Sequence, residues 1–123
     1  MADSERRDRG ADMLTKVYGG DVEPPPEGSP FVDIMLETLF AEVWTRDVLS
    51  MRDRRLLLLA SILTQGESMT FGIQARAALK NGEMTPDELR EVMVFLVHYV
   101  GYPRCASMTG VLEQTIAEWE ENQ

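Results

Sequence analysis

The sequence predicts an all-α protein, a single domain of about six helices that covers residues 1–123. Apolar residues recur at intervals of three and four along most of the chain, which is the spacing of one helix face. Signals that start and stop helices are frequent, whereas the alternating runs typical of strands are rare. A chain of 123 residues that is 44% hydrophobic can bury one core and leaves no room for a second domain.

The first 28 residues are expected to form a helix and an extended arm. A helix from Ser4 to Tyr18 would end at Gly19 and Gly20, since glycine adopts the left-handed conformation that closes helices. The segment DVEPPPEGSP follows, and three consecutive prolines favour an extended surface connection. We therefore assign residues 1–28 to an N-terminal helix and a proline-rich arm, and residues 29–123 to the helical core.

Two helices are predicted in the middle of the chain. The first has Ser29 as its N-cap and Pro30 in its first turn. Ser50 and Asp53 mark the start of the second, MRDRRLLLLASILTQG, whose leucine run favours a central position in the core. The buried stripe of the first helix is expected to consist of Phe31, Ile34, Met35, Leu39, Phe40, Val43 and Trp44.

Three further helices are predicted after residue 67. The segment SMTFGIQARAALKNG closes at Asn81–Gly82, and Thr85 with Glu88 forms a capping box at the start of the next helix. Gly101 ends that helix, and Pro103 starts the last one, which runs to about residue 120. The apolar stripe of the last helix comprises Cys105, Met108, Leu112, Ile116 and Trp119.

Charge and composition limit the classes of partner. With 21 acidic and 12 basic side chains the net charge is −9, which disfavours nucleic acid as a ligand. The polar segment MADSERRDRG does not resemble a signal peptide, and no apolar run approaches the length of a membrane span. We therefore expect a soluble cytoplasmic protein with no membrane or nucleic-acid partner. One cysteine and one histidine predict neither a disulfide nor a metal site, and no cofactor is expected.

The single histidine and the single cysteine flank the Gly-Tyr-Pro break before the last helix. Cys105 belongs to an apolar stripe and is expected in the core, although its place near a helix N-terminus would lower the pKa of its thiol. His98 lies one position off the core stripe of its helix and two turns after Glu91 on the same face. It is therefore either a general acid or base that lines a cleft or a hydrogen-bonded interface residue.

Arginines are concentrated in WTRDVLSMRDRR, which carries Arg46, Arg52, Arg54 and Arg55. Guanidinium groups match carboxylates in shape and stay charged when partly buried, which suits a site for a small organic anion. Trp44 would then form one wall of that site. The same arginines could instead form surface ion pairs with neighbouring carboxylates, which are common and weak.

The segments VWTRDVLSMRDRRLLLLASIL, QARAALKNG, TPDELREVMVFL and YVGYP resemble the carboxymuconolactone decarboxylase family in residue type and in spacing. The resemblance implies an alkylhydroperoxidase-like helical fold with a central helical hairpin, assembled as a homotrimer or homohexamer. A related branch of alkylhydroperoxidase-like proteins carries a CxxC motif followed by histidine. Those positions here are Glu67, Thr70 and Gln74, which disfavours thiol peroxidase activity because two thiols are needed.

The resemblance implies a lyase or isomerase acting on a small carboxylated lactone or another product of aromatic degradation. In this hypothesis Arg46 and Arg54 hold carboxylates. Gln74, where the decarboxylase branch commonly has histidine, orients a substrate oxygen. His98 is the proton donor, and Glu91 sets its tautomer if the two meet across the oligomer. The alternative is a non-catalytic small-molecule-binding or assembly subunit of the same fold.

Overall fold

The structure of the protein, a computed structural model, describes residues 4–123 and is helical without strands over that range. The predicted all-α class is confirmed. The described chain forms two compact units, residues 4–51 and residues 52–123. The boundary between them lies after Met51, whereas the sequence suggested a division after residue 28. The assignment of residues 1–123 to a single domain stays a prediction.

The first unit consists of helix α1 (Ser4–Val17), helix α2 (Pro30–Met35) and a π-helix (Leu36–Val43) that continues α2. The proline-rich arm between them is fixed by the buried side chain of Arg7. Its Nε donates to Oδ1 of Asp33 at 2.8 Å, and its Nη2 donates to the carbonyl oxygen of Pro25 at 2.7 Å. The backbone N–H of Gly28 donates to the second oxygen of Asp33 at 3.2 Å. One buried ion pair therefore attaches the arm to both helices.

The predicted stripe on this second helix is wrong in part. Phe31 and Ile34 are 82% and 60% exposed, and Leu39 and Val43 are also exposed. Phe40 is buried as predicted, and Met35 and Trp44 pack against the same core, but the buried face also carries Asp33 and Leu36, which the stripe did not include. Asp33 turns inward because Arg7 binds it, and the wider π-helical turn, with Trp44 N bonded to Leu39 O, alters the side-chain spacing that an α-helix would have.

Gly10 allows α1 to contact the π-helix directly. A Cβ atom at this position would lie 1.8 Å from the carbonyl oxygen of Leu36. Only glycine permits so close an approach of two backbones. Around this contact the core of the first unit is formed by Leu14, Val17, Leu36 and Phe40.

The second unit contains α3 (Met51–Gln65, apart from its first residue), α4 (Ser68–Lys80), α5 (Pro86–Val100) and α6 (Tyr102–Glu121). The sequence favoured α3 as the central helix, but α6 is the one that packs against both α4 and α5. At the α4–α6 contact, Gly72 on α4 faces Val111 and Thr115 of α6, and the absence of a side chain there lets these two helices approach closely. The core includes Leu59, Leu63, Phe71, Ala75, Ala78, Leu89, Met93, Cys105, Met108, Leu112 and Ile116.

None of the helices formed by residues 4–123 is long and apolar enough to cross a lipid bilayer.

Candidate functional site

The position of His98 is set by the two ends of α5. The predicted capping box is present at the start, where the hydroxyl of Thr85 accepts from the N–H of Glu88 at 3.1 Å. At the other end Gly101 adopts φ +110°, a conformation that side chains rarely allow, and α6 begins at the next residue. Leu89 and Met93 form the buried face of this helix, and His98 lies beside that face and not on it.

A partly open recess of about 340 Å³ lies between α5 and α6. Its lining is mainly apolar, and its volume falls in the range of small-molecule sites. The residues that line it are Arg90, Met93, Val94, Val97, His98, Tyr102, Cys105, Ala106, Thr109, Leu112 and Glu113. His98 is thus an exposed residue at the edge of this recess, and its catalytic role stays a prediction.

Arg90 and Glu113 form an ion pair on the wall of this recess. Nε and Nη2 of Arg90 each lie 2.9 Å from one oxygen of Glu113, and Nη1 lies 3.2 Å from Oδ1 of Asp87. The hydrogen bonds from the guanidinium of Arg90 lower the pKa of the Glu113 carboxyl, and the bond to Glu113 raises the pKa of Arg90. Both groups are therefore charged at neutral pH.

Cys105 forms part of the same wall and also belongs to the core, as the sequence predicted. It is 3% exposed, and burial raises the pKa of its thiol despite the nearby Arg104. The predicted lowering of that pKa by the helix N-terminus is wrong, because removal from water disfavours the thiolate more strongly. A protonated buried thiol is a poor nucleophile.

Gln74 and Arg55 form a second polar feature, inside the core of the second unit. Gln74 is 2% exposed, and its Oε1 accepts a hydrogen bond from Nη1 of Arg55. Arg55 is fully buried, and its Nε and Nη2 lie 2.8 and 3.1 Å from the two oxygens of Glu83. Glu83 also accepts from the side-chain amide of Asn81 at 3.1 Å.

The sequence predicts a binding role for Arg54, whereas the structure buries its neighbour Arg55 in the arginine cluster. One signal favoured Arg55: it lies four residues before Leu59 and so shares a helix face with that buried leucine. Arg54 is only partly buried. Neither Arg54 nor Gln74 lines the recess at His98.

The remaining predicted site residues lie elsewhere. Glu91 lines a separate recess with Arg52 and Glu88, so within one chain it does not share the recess of His98. Trp44 and Arg46 belong to the first unit, where the ring of Trp44 stacks on Phe40 at 6.5 Å. Over residues 4–123 no three carboxylate, thiol or imidazole side chains are grouped in a way that suits a metal ion.

Comparison with known proteins identifies the family. The model of the family described as "Carboxymuconolactone decarboxylase family" matches residues 30–114. A nitrosuccinic acid decarboxylase from Metarhizium robertsii is 32% identical over 91 residues, which are 74% of this chain and 63% of that protein. A 4-carboxymuconolactone decarboxylase from Acinetobacter baylyi is 27% identical over 124 aligned positions, with 96% of this chain and 92% of that protein covered.

The match thus spans somewhat less than two thirds of the length of the nitrosuccinic acid decarboxylase and nearly all of the bacterial relative. The helical class and the resemblance seen in the sequence agree with these matches. The chain belongs to the carboxymuconolactone decarboxylase family.

Proposed function

We propose that this chain is a carboxy-lyase that removes CO₂ from a small carboxylated organic anion, such as a ring-cleavage product of aromatic degradation. The observation that carries the proposal is the recess between α5 and α6, in which the chain's single histidine faces an apolar floor. Family membership and two relatives named as decarboxylases support the reaction type.

The reaction breaks the bond between the carboxyl carbon and the neighbouring carbon of the substrate. CO₂ leaves, and the electron pair stays on the substrate carbon until a proton reaches it. In the proposal His98 supplies that proton and recovers one from solvent. The apolar floor favours the step, because a carboxylate that is poorly solvated gains by becoming neutral CO₂.

The other predicted site residues remain part of the proposal in weaker roles. Arg54 and Gln74 lie off the recess wall, and the side-chain carbonyl oxygen of Gln74 accepts a hydrogen bond from Arg55 in the core. Alanine variants test the other predicted roles. These roles are Trp44 as a site wall, Arg46 as a carboxylate ligand and Glu91 as the partner of His98 across an oligomer.

Self-association is also proposed. The second unit exposes large apolar side chains on α5, with Val94 57%, Phe95 60% and Tyr99 79% exposed. Exposed apolar surface of this kind favours contact between copies, and a homotrimer or homohexamer is expected. Sedimentation velocity at micromolar concentration tests this, and a stable monomer would contradict it.

A cytoplasmic location is likewise proposed, and fractionation of cells that express the protein tests it.

Release of CO₂ from carboxymuconolactone and from nitrosuccinate measures the proposed activity directly. The His98→Gln variant is expected to lose about a hundredfold or more in kcat, the usual contribution of a positioned acid. Gln114→Ala is the control, because Gln114 is exposed on α6 and does not line the recess. Full activity of His98→Gln would remove His98 as the donor. Absence of turnover with every carboxylated substrate would instead support a non-catalytic binding subunit.

A further inference from the structure

We infer that α5 pairs in antiparallel orientation with α5 of a second copy of this chain, and that the second copy supplies Glu91 to the recess of His98. The inference rests on the proposed function in taking this recess as the substrate site. It adds the helix face that makes the contact, the symmetry of that contact and the carboxylate that the recess receives.

One face of α5 carries four exposed side chains. Glu91, Val94, Phe95 and His98 follow the spacing i, i+3, i+4 and i+7, which places them on one side of an α-helix. Val94 and Phe95 are 57% and 60% exposed, and Glu91 and His98 are exposed at the two ends. The ring of Tyr99 lies 5.5 Å from that of Phe95 and extends the apolar centre. An apolar centre between polar ends is typical of a protein–protein contact.

The two polar ends of this face have complementary chemistry. Among the residues that the structure describes, none forms a hydrogen bond or an ion pair with the side chain of Glu91 or of His98. A carboxylate accepts a hydrogen bond from an imidazole N–H, and the bond becomes an ion pair when the ring is protonated. Within one chain the two residues are separated by roughly 10 Å along the helix axis and line different recesses.

Antiparallel pairing about a two-fold axis between positions 94 and 95 matches all four side chains. It places Glu91 of each copy opposite His98 of the other, and Val94 of each copy opposite Phe95 of the other. Parallel pairing would instead bring the two carboxylates together and the two imidazoles together, and like groups in contact disfavour association. The antiparallel contact is isologous, because the same surface is used by both copies.

A shift of the two-fold axis by one residue loses this match. An axis at Val94 would place Glu91 opposite Val97, and an axis at Phe95 would place it opposite Tyr99. The carboxylate would then be removed from water without the imidazole as its partner, which is unfavourable. The face therefore favours one register.

The second copy completes the recess in this arrangement. Val94 lines the recess, so Phe95 of the second copy packs beside its open side and helps to exclude water from the substrate. Glu91 of the second copy binds one ring nitrogen of His98 and leaves the other for the substrate, which makes Glu91 a positioning residue. A homohexamer contains two-fold axes and a homotrimer does not, so the contact favours the hexamer of the two assemblies proposed above.

A charge exchange between copies tests the pairing. Sedimentation velocity is measured at micromolar concentration and at about pH 6, where an ordinary imidazole is mostly protonated. Glu91→Lys and His98→Glu each place like charges opposite one another, so either variant alone should dissociate about tenfold more readily than the wild type. A mixture of the two variants in equal amounts restores an opposite charge at both ends of the contact. It should regain the sedimentation coefficient of the wild type.

Glu120→Lys is the control for the charge reversals, because Glu120 is exposed on α6 and lies outside the recess. It should keep the wild-type size. Single variants that assemble as the wild type does, or a mixture that associates no better than its components, overturn the inference. A wild-type protein that sediments as a monomer or a trimer also overturns it.

Circular dichroism establishes that each variant is folded. If a charge variant is not folded, Phe95→Ala decides the question, since loss of the apolar centre should raise the dissociation constant about tenfold or more. Unchanged assembly of Phe95→Ala then overturns the inference.

Subunit exchange tests the role of Glu91 in the recess. In an active protein, addition of the inactive His98→Gln variant should raise the kcat of Glu91→Gln by about threefold or more, because the added copy supplies an intact Glu91 to the remaining His98. No increase after exchange overturns the assignment of Glu91 to the recess.

The sedimentation measurement needs no turnover, so the two proposals fail separately. A protein whose charge variants associate only when mixed, but which releases no CO₂ from any substrate, contradicts the proposed lyase function alone. A protein that decarboxylates as a monomer contradicts the α5 contact alone.

Discussion

Arg55 and Glu83 form a two-bonded ion pair in the core of the second unit, with side chains that are 0% and 7% exposed. A buried guanidinium is tolerated only when its charge and its N–H groups are matched. The pair joins α3 to the loop that follows α4. The pair therefore matters to the packing of these elements mainly because removal of either partner would leave an uncompensated buried charge.

Glu83→Gln should destabilise the protein by about 3 kcal/mol, because it leaves a buried charge without its counterion. The free energy of unfolding in urea measures this. The control is Glu42→Gln, which removes the carboxylate of exposed ion pairs with Arg6 and Arg9 and should cost less than about 1 kcal/mol. Equal effects of the two changes would show that the Arg55 guanidinium is well solvated after all.

Gln74→His tests whether an imidazole at this position can act as an acid. A neutral imidazole can accept the hydrogen bond that Arg55 now gives to Gln74, whereas a protonated one would meet the guanidinium as a like charge. We therefore expect the pKa of the introduced imidazole to lie well below the ordinary value of about 6.5.

Titration of the imidazole signals by NMR gives that pKa. The double variant Gln74→His with His98→Gln contains one imidazole and makes the assignment unambiguous. A pKa of the introduced imidazole near or above 6.5 would contradict the expectation. It would show that Glu83 neutralises the charge of Arg55 as it acts on the imidazole at position 74.

The difference between Arg54 and Arg55 shows how far the sequence could predict the site. The α-helical spacing places Arg55 on the same buried face as Leu59, but arginine is usually exposed, so residue type and spacing point in opposite directions here. Its partner Glu83 is 28 residues away in a loop, and no local spacing reveals such a pair. The position of His98 was predictable because it depends only on the register of α5, which Thr85 and Gly101 fix.

The second helix shows a different limit. Its predicted stripe assumed 3.6 residues per turn throughout, but the segment from Leu36 to Val43 is a π-helix. That conformation is rare, and no residue type signals it. The inward position of Asp33 was also hidden, because its partner Arg7 lies 26 residues earlier in the chain.

Gly10→Ala should destabilise the first unit, because the added methyl group would overlap the carbonyl oxygen of Leu36 and force α1 away from the π-helix. Overpacking of this kind typically costs about 1–3 kcal/mol. Gly110→Ala is the matched change, since Gly110 is also helical and nothing lies within 4 Å of its would-be Cβ. It should gain about 0.5–1 kcal/mol from the better helix propensity of alanine.

Thermal unfolding of the two glycine variants gives the comparison. We expect a lower Tm for Gly10→Ala and an equal or higher Tm for Gly110→Ala. A Gly10→Ala protein as stable as the wild type would mean that α1 can shift on the π-helix without loss of packing.

Asp33 should make the stability of the first unit depend on pH in the acid range. The hydrogen bond from Arg7 lowers the pKa of the Asp33 carboxyl, with the Gly28 N–H adding to the effect and burial opposing it. The folded value then lies below that of the unfolded chain, which is about 3.9. At pH values between the two pKa values of Asp33 the unfolded chain binds more protons than the folded protein. The stabilisation is therefore present above the unfolded pKa, at about pH 4, and is lost as the pH falls through the folded pKa.

Asp33→Asn removes this contribution. The urea midpoint of the variant should lie below that of the wild type at pH 7, and the gap should narrow as the pH falls below about 4. Asp12→Asn, an exposed change on α1, should give a small difference that does not vary with pH in this way. A gap for Asp33→Asn that stays constant from pH 7 to pH 3 would show that the ionised carboxylate does not hold the arm through Arg7.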